Sequence, residues 1–436
     1  MEGDSAPQNY FSTKVIFMLF GVASLLGWNA LLTELDFFFL FLKTMDPYVS
    51  FGFLNYILNI LFQFILVWKK TIMPMKVQLI VSILGSIAFL ILIPMFTMIL
   101  EKDSLFNRIF TGGLVVLMGF INALCSGGFF SLVSNFPLEM IVSLSAGQGF
   151  SGIAMNILQY IVLVSIPFDE KSEDEKEKER IYSIRAWIFF GVSSFILLIC
   201  LILLLVSYNT TYFQYYLNKA NDKNVISSPL DDANEGETTK EEQFSITAEE
   251  VPMQNAGSTA SFCYLFYKLW DLDFLILYVY IVTFALFPNA SISQKLFKLE
   301  GSFNSNTIIL TYNLFDTIGR YLVAKVKPTK KLNMIVILGR SILLFTLVFN
   351  FFAQEKLEKD QSHIITSISL LINVGLLAAT NGIGTTLCFG IAPNEVEDAY
   401  KGQAGGSLSF FLIFGIFLGN CVAFGTKAII GTFKKE

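Results

Sequence analysis

Eleven runs of about twenty or more apolar residues follow one another along this chain, at 15–42, 50–68, 77–100, 109–133, 140–166, 184–206, 267–290, 307–324, 334–352, 364–391 and 404–430. A run of that length crosses the hydrocarbon core of a bilayer as a helix. Lipid offers no partner to a bare peptide group, so each segment must satisfy its backbone internally. The pattern predicts an all-α membrane protein with eleven transmembrane helices. Composition agrees: 54% of the 436 residues are hydrophobic and 15% charged, whereas soluble domains carry about 25% charged residues. The first run is too long for the apolar region of a cleaved signal, so it reads as the first span.

One polar interruption divides the series. Residues 208–262 are acidic and poor in aliphatic side chains, with the run Asp231-Asp232-Ala233-Asn234-Glu235-Gly236-Glu237. Such a segment reads as a disordered loop. Six spans precede it and five follow. The expected organisation is an N-terminal half at 1–207, an acidic intracellular loop at 208–262 and a C-terminal half at 263–436. A 6+5 split suggests two helical bundles, as in transporters built from two halves. Basic clusters follow the second span (Lys69, Lys70, Lys76) and the eighth (Lys325, Lys327, Lys330, Lys331). With eleven spans these lie on the N-terminal side, which places the N-terminus in the cytoplasm. Lys171, Lys176, Lys178 and Arg180 in the fifth–sixth loop pull the other way, and by raw count of short loops the rule does not favour that orientation.

Several motifs lead away from chemistry. Gly147-Gln148-Gly149-Phe150-Ser151-Gly152 matches GxGxxG, but it lies inside an apolar helix and not between a strand and a soluble helix. Small residues at this spacing let helix backbones approach. Gly402/Gly406 and Gly415/Gly419 read the same way, as packing inside a bundle. The five cysteines form no CxxC pair and no metal spacing, and the single histidine, His363, opens the tenth span. No Ser/His/Asp arrangement can be assembled. The sequence therefore predicts no enzyme, cofactor or metal site. The net charge of −5 comes largely from two loops and carries no nucleic-acid footprint. Sequons at Asn209 and Asn289 stand on the predicted cytoplasmic side and beside a span end, so both are expected to be unmodified.

The informative residues are polar ones inside the spans. Asn313, Asp316 and Arg320 fall in the run 307–324, within roughly a 60° arc of one helix face. A charge at mid-membrane costs about 2.5–3.5 kcal/mol on insertion scales. An Asp and an Arg one turn apart offset each other, and they read as a polar site facing a cavity. Asn55, Asn59 and Gln63 make a second stripe on span two, where helix-to-helix hydrogen bonding and solute contact are equally good readings. Trp28-Asn29, Asn122 with Ser126, and Thr380-Asn381 with Thr385-Thr386 add amides and hydroxyls. That palette suits a neutral polar solute with several hydrogen-bonding groups. Arg340 reads as glue or as a snorkelling anchor.

Leu25-Leu26-Gly27-Trp28-Asn29-Ala30-Leu31-Leu32-Thr33 resembles the first-span pattern LLPWNxxxT of the equilibrative nucleoside transporters. Pro137 followed by Gly147-Gln148-Gly149 and Gly152, Phe287-Pro288, Asn313–Arg320 as NxxDxxGR, and Asn381-Gly382 with Pro393 resemble that family's later helices, in the same order. The resemblance covers nearly the whole chain. It implies a major-facilitator-like fold and facilitated diffusion of nucleosides or nucleobases through a lipid bilayer, with the plasma membrane as the expected location. It implies substrate contacts at Trp28, Leu32, Phe287, Asn313, Asp316 and Arg320. Two departures concern the base. Leu32 stands where Met is common, and Ser126 stands where a fourth-helix Gln often contacts the base, with Asn122 as a substitute one turn earlier. Glu34 and Asp36 mark the exit from the membrane or confer proton coupling. A proton-coupled carrier of another small solute, and a receptor or channel using the acidic loop for docking, stay open alternatives. Oligomeric state is not readable from the sequence.

Overall fold

The computed structural model describes residues 10–433, apart from 70–72, 168–173, 227–257, 288–290, 292–293, 295, 298, 300 and 357–361. Among the described residues the regular structure is helical. The N-terminal set is α1 (Tyr10–Thr33), α2 (Leu35–Phe41), α3 (Pro47–Trp68), α4 (Met75–Ile99), α5 (Leu105–Val133), α6 (Leu138–Ser165), α7 (Glu175–Ser207) and α8 (Thr211–Ile226). The C-terminal set is α9 (Ser258–Leu286), α10 (Gly301–Leu322), α11 (Lys330–Gly339), α12 (Ile342–Lys356), α13 (Ser362–Glu395) and α14 (Lys401–Phe433). Local chemistry sets several starts. Ser104, Asp174 and Thr329 cap the first turns of α5, α7 and α11 through side-chain oxygens, and Pro137 stands immediately before α6.

Nine helices among the described residues are long and apolar enough to cross a membrane. The eighth and ninth expected spans differ from these. The helix α10 is long enough but carries Asn304, Asn306, Asn313, Asp316 and Arg320. The ninth is broken into α11 and α12 at Arg340 and Ser341, where Arg340 ends α11 and turns its guanidinium into the bundle. Large apolar side chains on the outer surface, such as Phe345 (76% exposed) and Ile365 (72% exposed), fit a lipid-facing wall.

Two expectations change in detail. The segment read as a disordered loop begins as a helix, α8, because Tyr212, Phe213 and Tyr216 give it an aromatic stripe that packs on Phe136 and Phe17. The acidic run 231–237, Pro288 and Asn289 lie outside the described residues. Span one is two helices broken at Glu34, which is buried near Asp36 and Arg185. Near the start of α11, Lys330 bridges Asp271 and Glu395 at 2.9 Å each, tying α9, α11 and α13 together. Burial works against the Lys330 charge, but the two carboxylates outweigh it and raise its pKa.

Glycines set the closest helix contacts. A Cβ on Gly21 would meet the Leu144 carbonyl, and one on Gly147 would meet the Met18 carbonyl, so α1 and α6 lie backbone to backbone. The GxGxxG motif is thus a packing motif. Gly319 against Ala379 and Gly382 against Asp316 join α10 to α13 in the same way. Overpacking a tight core site costs about 1–3 kcal/mol. Gly147→Ala is expected to reduce the folded, surface-delivered fraction, measured by fluorescence size exclusion and surface labelling. Gly113→Ala, where a Cβ meets nothing within 4 Å, should leave it unchanged.

Candidate functional site

The polar face of α10 turns toward α6 and α13. Asp316 and Arg320 are each 4% exposed, and Arg320 Nε donates to Asp316 Oδ2 at 2.7 Å. The remaining polar groups around the pair come from both helix sets. Arg320 Nη1 donates to Ser145 O at 3.2 Å, Ser145 Oγ at 3.0 Å and Gln148 Oε1 at 3.1 Å, all on α6. Gln148 Nε2 donates in turn to Ser24 Oγ of α1 at 3.1 Å. On the other side Asn381 Nδ2 of α13 donates to Asp316 Oδ1 at 2.7 Å. Thr283 Oγ1 of α9 donates to Asn381 Oδ1 at 2.8 Å and accepts from Arg340 Nη2 at 2.7 Å. Ser145 and Thr386 share a hydroxyl contact at 2.7 Å. A continuous hydrogen-bonded line therefore runs from α1 to the break between α11 and α12, with the ion pair at its centre. Pairing and hydrogen bonding are what allow two charges to be buried. An ionised carboxylate has about four acceptor sites, and each Asp316 oxygen receives one donor from these neighbours, so it retains capacity for a ligand hydroxyl or N–H.

The other expected residues are spread more widely. Asn313 lies on the same α6–α10 seam, donating from Nδ2 to Asn156 Oδ1 at 2.7 Å against Gly152. Asn122 and Ser126 of α5 join the α3 stripe: Asn122 Nδ2 donates to Asn55 Oδ1 at 3.4 Å, and Gln63 Nε2 donates to Ser126 Oγ at 3.0 Å. Trp28 reaches this group through Tyr56, edge to face at 6.0 Å. Phe287 stands elsewhere, 7% exposed and stacked on Tyr312 at 4.0 Å within an apolar cluster of the C-terminal set. Leu32, near the end of α1, is 38% exposed.

Sequence reasoning missed Ser145, Gln148, Thr283 and Asn156. Gln148 was hidden inside the glycine motif. Its signal was an amide on an otherwise small-residue helix face, which needs a partner wherever it is buried. Arg340 does not snorkel: it is 2% exposed and donates to Val279 O, Thr283 Oγ1 and Leu377 O.

One turn beyond Ser126, Phe130 of α5 stacks on Phe389 of α13 at 3.6 Å and 10°. These rings come from opposite helix sets and close the bundle at that level. A further turn along both helices, a cleft of about 340 Å³ is lined by Asn135, Pro137 and Tyr216 from one set and Pro393, Asn394 and Lys401 from the other.

The helical bundle matches the fold of major facilitator proteins of known structure. The chain superposes on the xylose symporter XylE of E. coli with a TM-score of 0.62 at 11% identity, over 94% of this chain and 87% of that one. It superposes on the E. coli fucose symporter FucP with a TM-score of 0.58 at 13% identity, over 97% and 92%. The chain belongs to the nucleoside transporter family, whose model matches residues 113–428. It is 24% identical to human equilibrative nucleoside transporter 1 over 80% of this chain and 76% of that protein. It is also 24% identical to Arabidopsis thaliana equilibrative nucleotide transporter 4, over 98% and 97%. Family and fold are those of membrane transporters, not enzymes.

Asn381 is the residue that positions the Asp316 carboxylate from outside α10. Asn381→Leu leaves one carboxylate oxygen without its donor, a loss of about 1–3 kcal/mol for a charged acceptor. The expected outcome is a rise of about ten-fold or more in the half-saturating substrate concentration at normal surface level, measured by initial-rate uptake, with Asn381→Gln, which keeps an amide donor, milder than Asn381→Leu.

Proposed function

We propose that this protein is a facilitative carrier of nucleosides, and of nucleobases, working by alternating access between two bundles. The observation that carries the reading is the Asp316–Arg320 pair, buried in a membrane bundle and bonded to both helix sets. In the proposed architecture α10 and the broken α11–α12 pair supply the eighth and ninth spans, which completes eleven in a 6+5 arrangement. The halves are 1–207 and 263–436, joined by the segment 208–262. The N-terminus and that segment face the cytoplasm, and the protein resides in the plasma membrane. The Phe130–Phe389 stack is then the closed cytoplasmic side.

The substrate site is proposed to lie between Trp28, Leu32, Asn122 and Ser126 on one side and Phe287, Asn313, Asp316 and Arg320 on the other. Asp316 accepts from a ribose hydroxyl or a ring N–H. Arg320 donates to substrate oxygen, and its planar fork makes Lys a poor substitute. The neutral amides and hydroxyls around the pair suit an uncharged solute with many polar groups. No separate driving ion is needed for net movement down a gradient.

Uptake in transport-deficient cells tests this. Labelled adenosine or uridine should enter saturably, show counterflow, be competed by inosine and hypoxanthine but not glucose, and persist in a protonophore. Asp316→Asn and Arg320→Lys are expected to lower uptake at least about ten-fold at normal surface levels, the size of one lost charged hydrogen bond. Near-normal uptake by both variants would sink the site. Competition by glucose alone would sink the substrate class.

A further inference from the structure

The α3 stripe contains an acceptor that the protein leaves unmet. Asn55, Asn59 and Gln63 are 1%, 2% and 1% exposed. Gln63 Nε2 donates to Asn59 Oδ1 and to Ser126 Oγ, each at 3.0 Å. The orientation of this amide follows from Ser126. The Ser126 hydroxyl donates to the Asn122 carbonyl at 2.9 Å, and its oxygen accepts from the Gln63 nitrogen. Both amide hydrogens of Gln63 are then used. Its Oε1 is buried and has no hydrogen-bond partner. Buried polar atoms are almost always paired, and an unmet one calls for a ligand or a water.

The place of this atom favours a ligand. Ser126, which holds the amide, is one helical turn from Phe130 on α5, and Phe130 closes the bundle against Phe389. Two turns away on the same face of α3, Tyr56 packs against Trp28. Gln63 therefore sits on the helix face that runs from the Trp28 contact toward the closed end.

We infer that Gln63 is a specificity-determining residue of the proposed substrate site, its Oε1 accepting a hydrogen bond from an N–H on the base edge of a nucleoside. This rests on the nucleoside reading above and deepens it. Ser126 is then a positioning residue, too short to read the base itself, that aims the Gln63 amide. Asn122 fixes Ser126 through its carbonyl. Ligands with an amino group or ring N–H on that edge are favoured over those without one.

The test compares adenosine with purine riboside, which has the same ribose but no N–H on its six-membered ring. In competition with labelled uridine uptake, wild-type protein should bind purine riboside about five- to ten-fold more weakly, the size of one net hydrogen bond. Gln63→Met, which keeps the volume and removes the acceptor, should bring the two ligands to within about two-fold of each other, through weaker adenosine competition. Ser126→Ala should narrow the gap part of the way. Equal competition by the two ligands on wild-type protein overturns the assignment without any variant. A full gap retained in Gln63→Met also overturns it. An equal loss for both ligands makes Gln63 a packing residue only. If wild-type protein carries no nucleoside at all, the substrate reading fails first, and that result is distinct from an unchanged ligand ranking in an active carrier.

Discussion

The buried pair of Asp316 and Arg320 is the constraint around which the rest of this bundle is organised. Removing one member of such a pair strands the other, at a cost of about 3–5 kcal/mol. Two charges this deep also need their remaining donors and acceptors met, and α10 alone cannot supply them. That requirement brings Asn381 in from α13 and Ser145 and Gln148 in from α6. The approach is possible because Gly319 and Gly382 let α10 and α13 meet backbone to backbone. The electrostatics of one helix turn thus sets the packing of three helices.

The same pair also joins the two helix sets. Arg320 belongs to the C-terminal set but donates to α6 of the N-terminal set. On the proposed reading, a substrate oxygen that engages this guanidinium competes with contacts that hold the two sets together. The Phe130–Phe389 stack is a second junction between the sets, placed nearer one end and made of apolar area without fixed charge. Contacts of these two kinds respond differently. The polar one is exchangeable with a ligand, whereas the aromatic one can only separate.

Much of this was legible from local pattern. The helical runs, the one-sided placement of Asn313, Asp316 and Arg320, and the packing role of the glycine motif all follow from spacing and hydropathy. Other features were not. The helix α8 was masked by the polar average of its segment, although Tyr212, Phe213 and Tyr216 give it an apolar stripe. Arg340 reads as glue or as an anchor from its position near a span end, and its burial and its bonds to Val279, Thr283 and Leu377 fit the glue reading, because α11 stops at that residue and the chain turns. Gln148 is inconspicuous because Gly147 and Gly149 account for the motif without it. Phe287 matches a motif, but its stack on Tyr312 belongs to an apolar cluster separate from the Trp28 contact.

By itself the sequence determined that this is a helical membrane protein with a charged centre, since hydropathy and helical period are properties of neighbouring residues. Apart from the i,i+4 pair of Asp316 and Arg320, the identity of each partner was decided by tertiary structure. Arg320 and Gln148 are separated by 172 positions, Asn381 and Asp316 by 65, and Gln63 and Ser126 by 63. No local pattern encodes which buried amide meets which charge. That is settled only when the helices pack and every donor must find an acceptor in a medium without water.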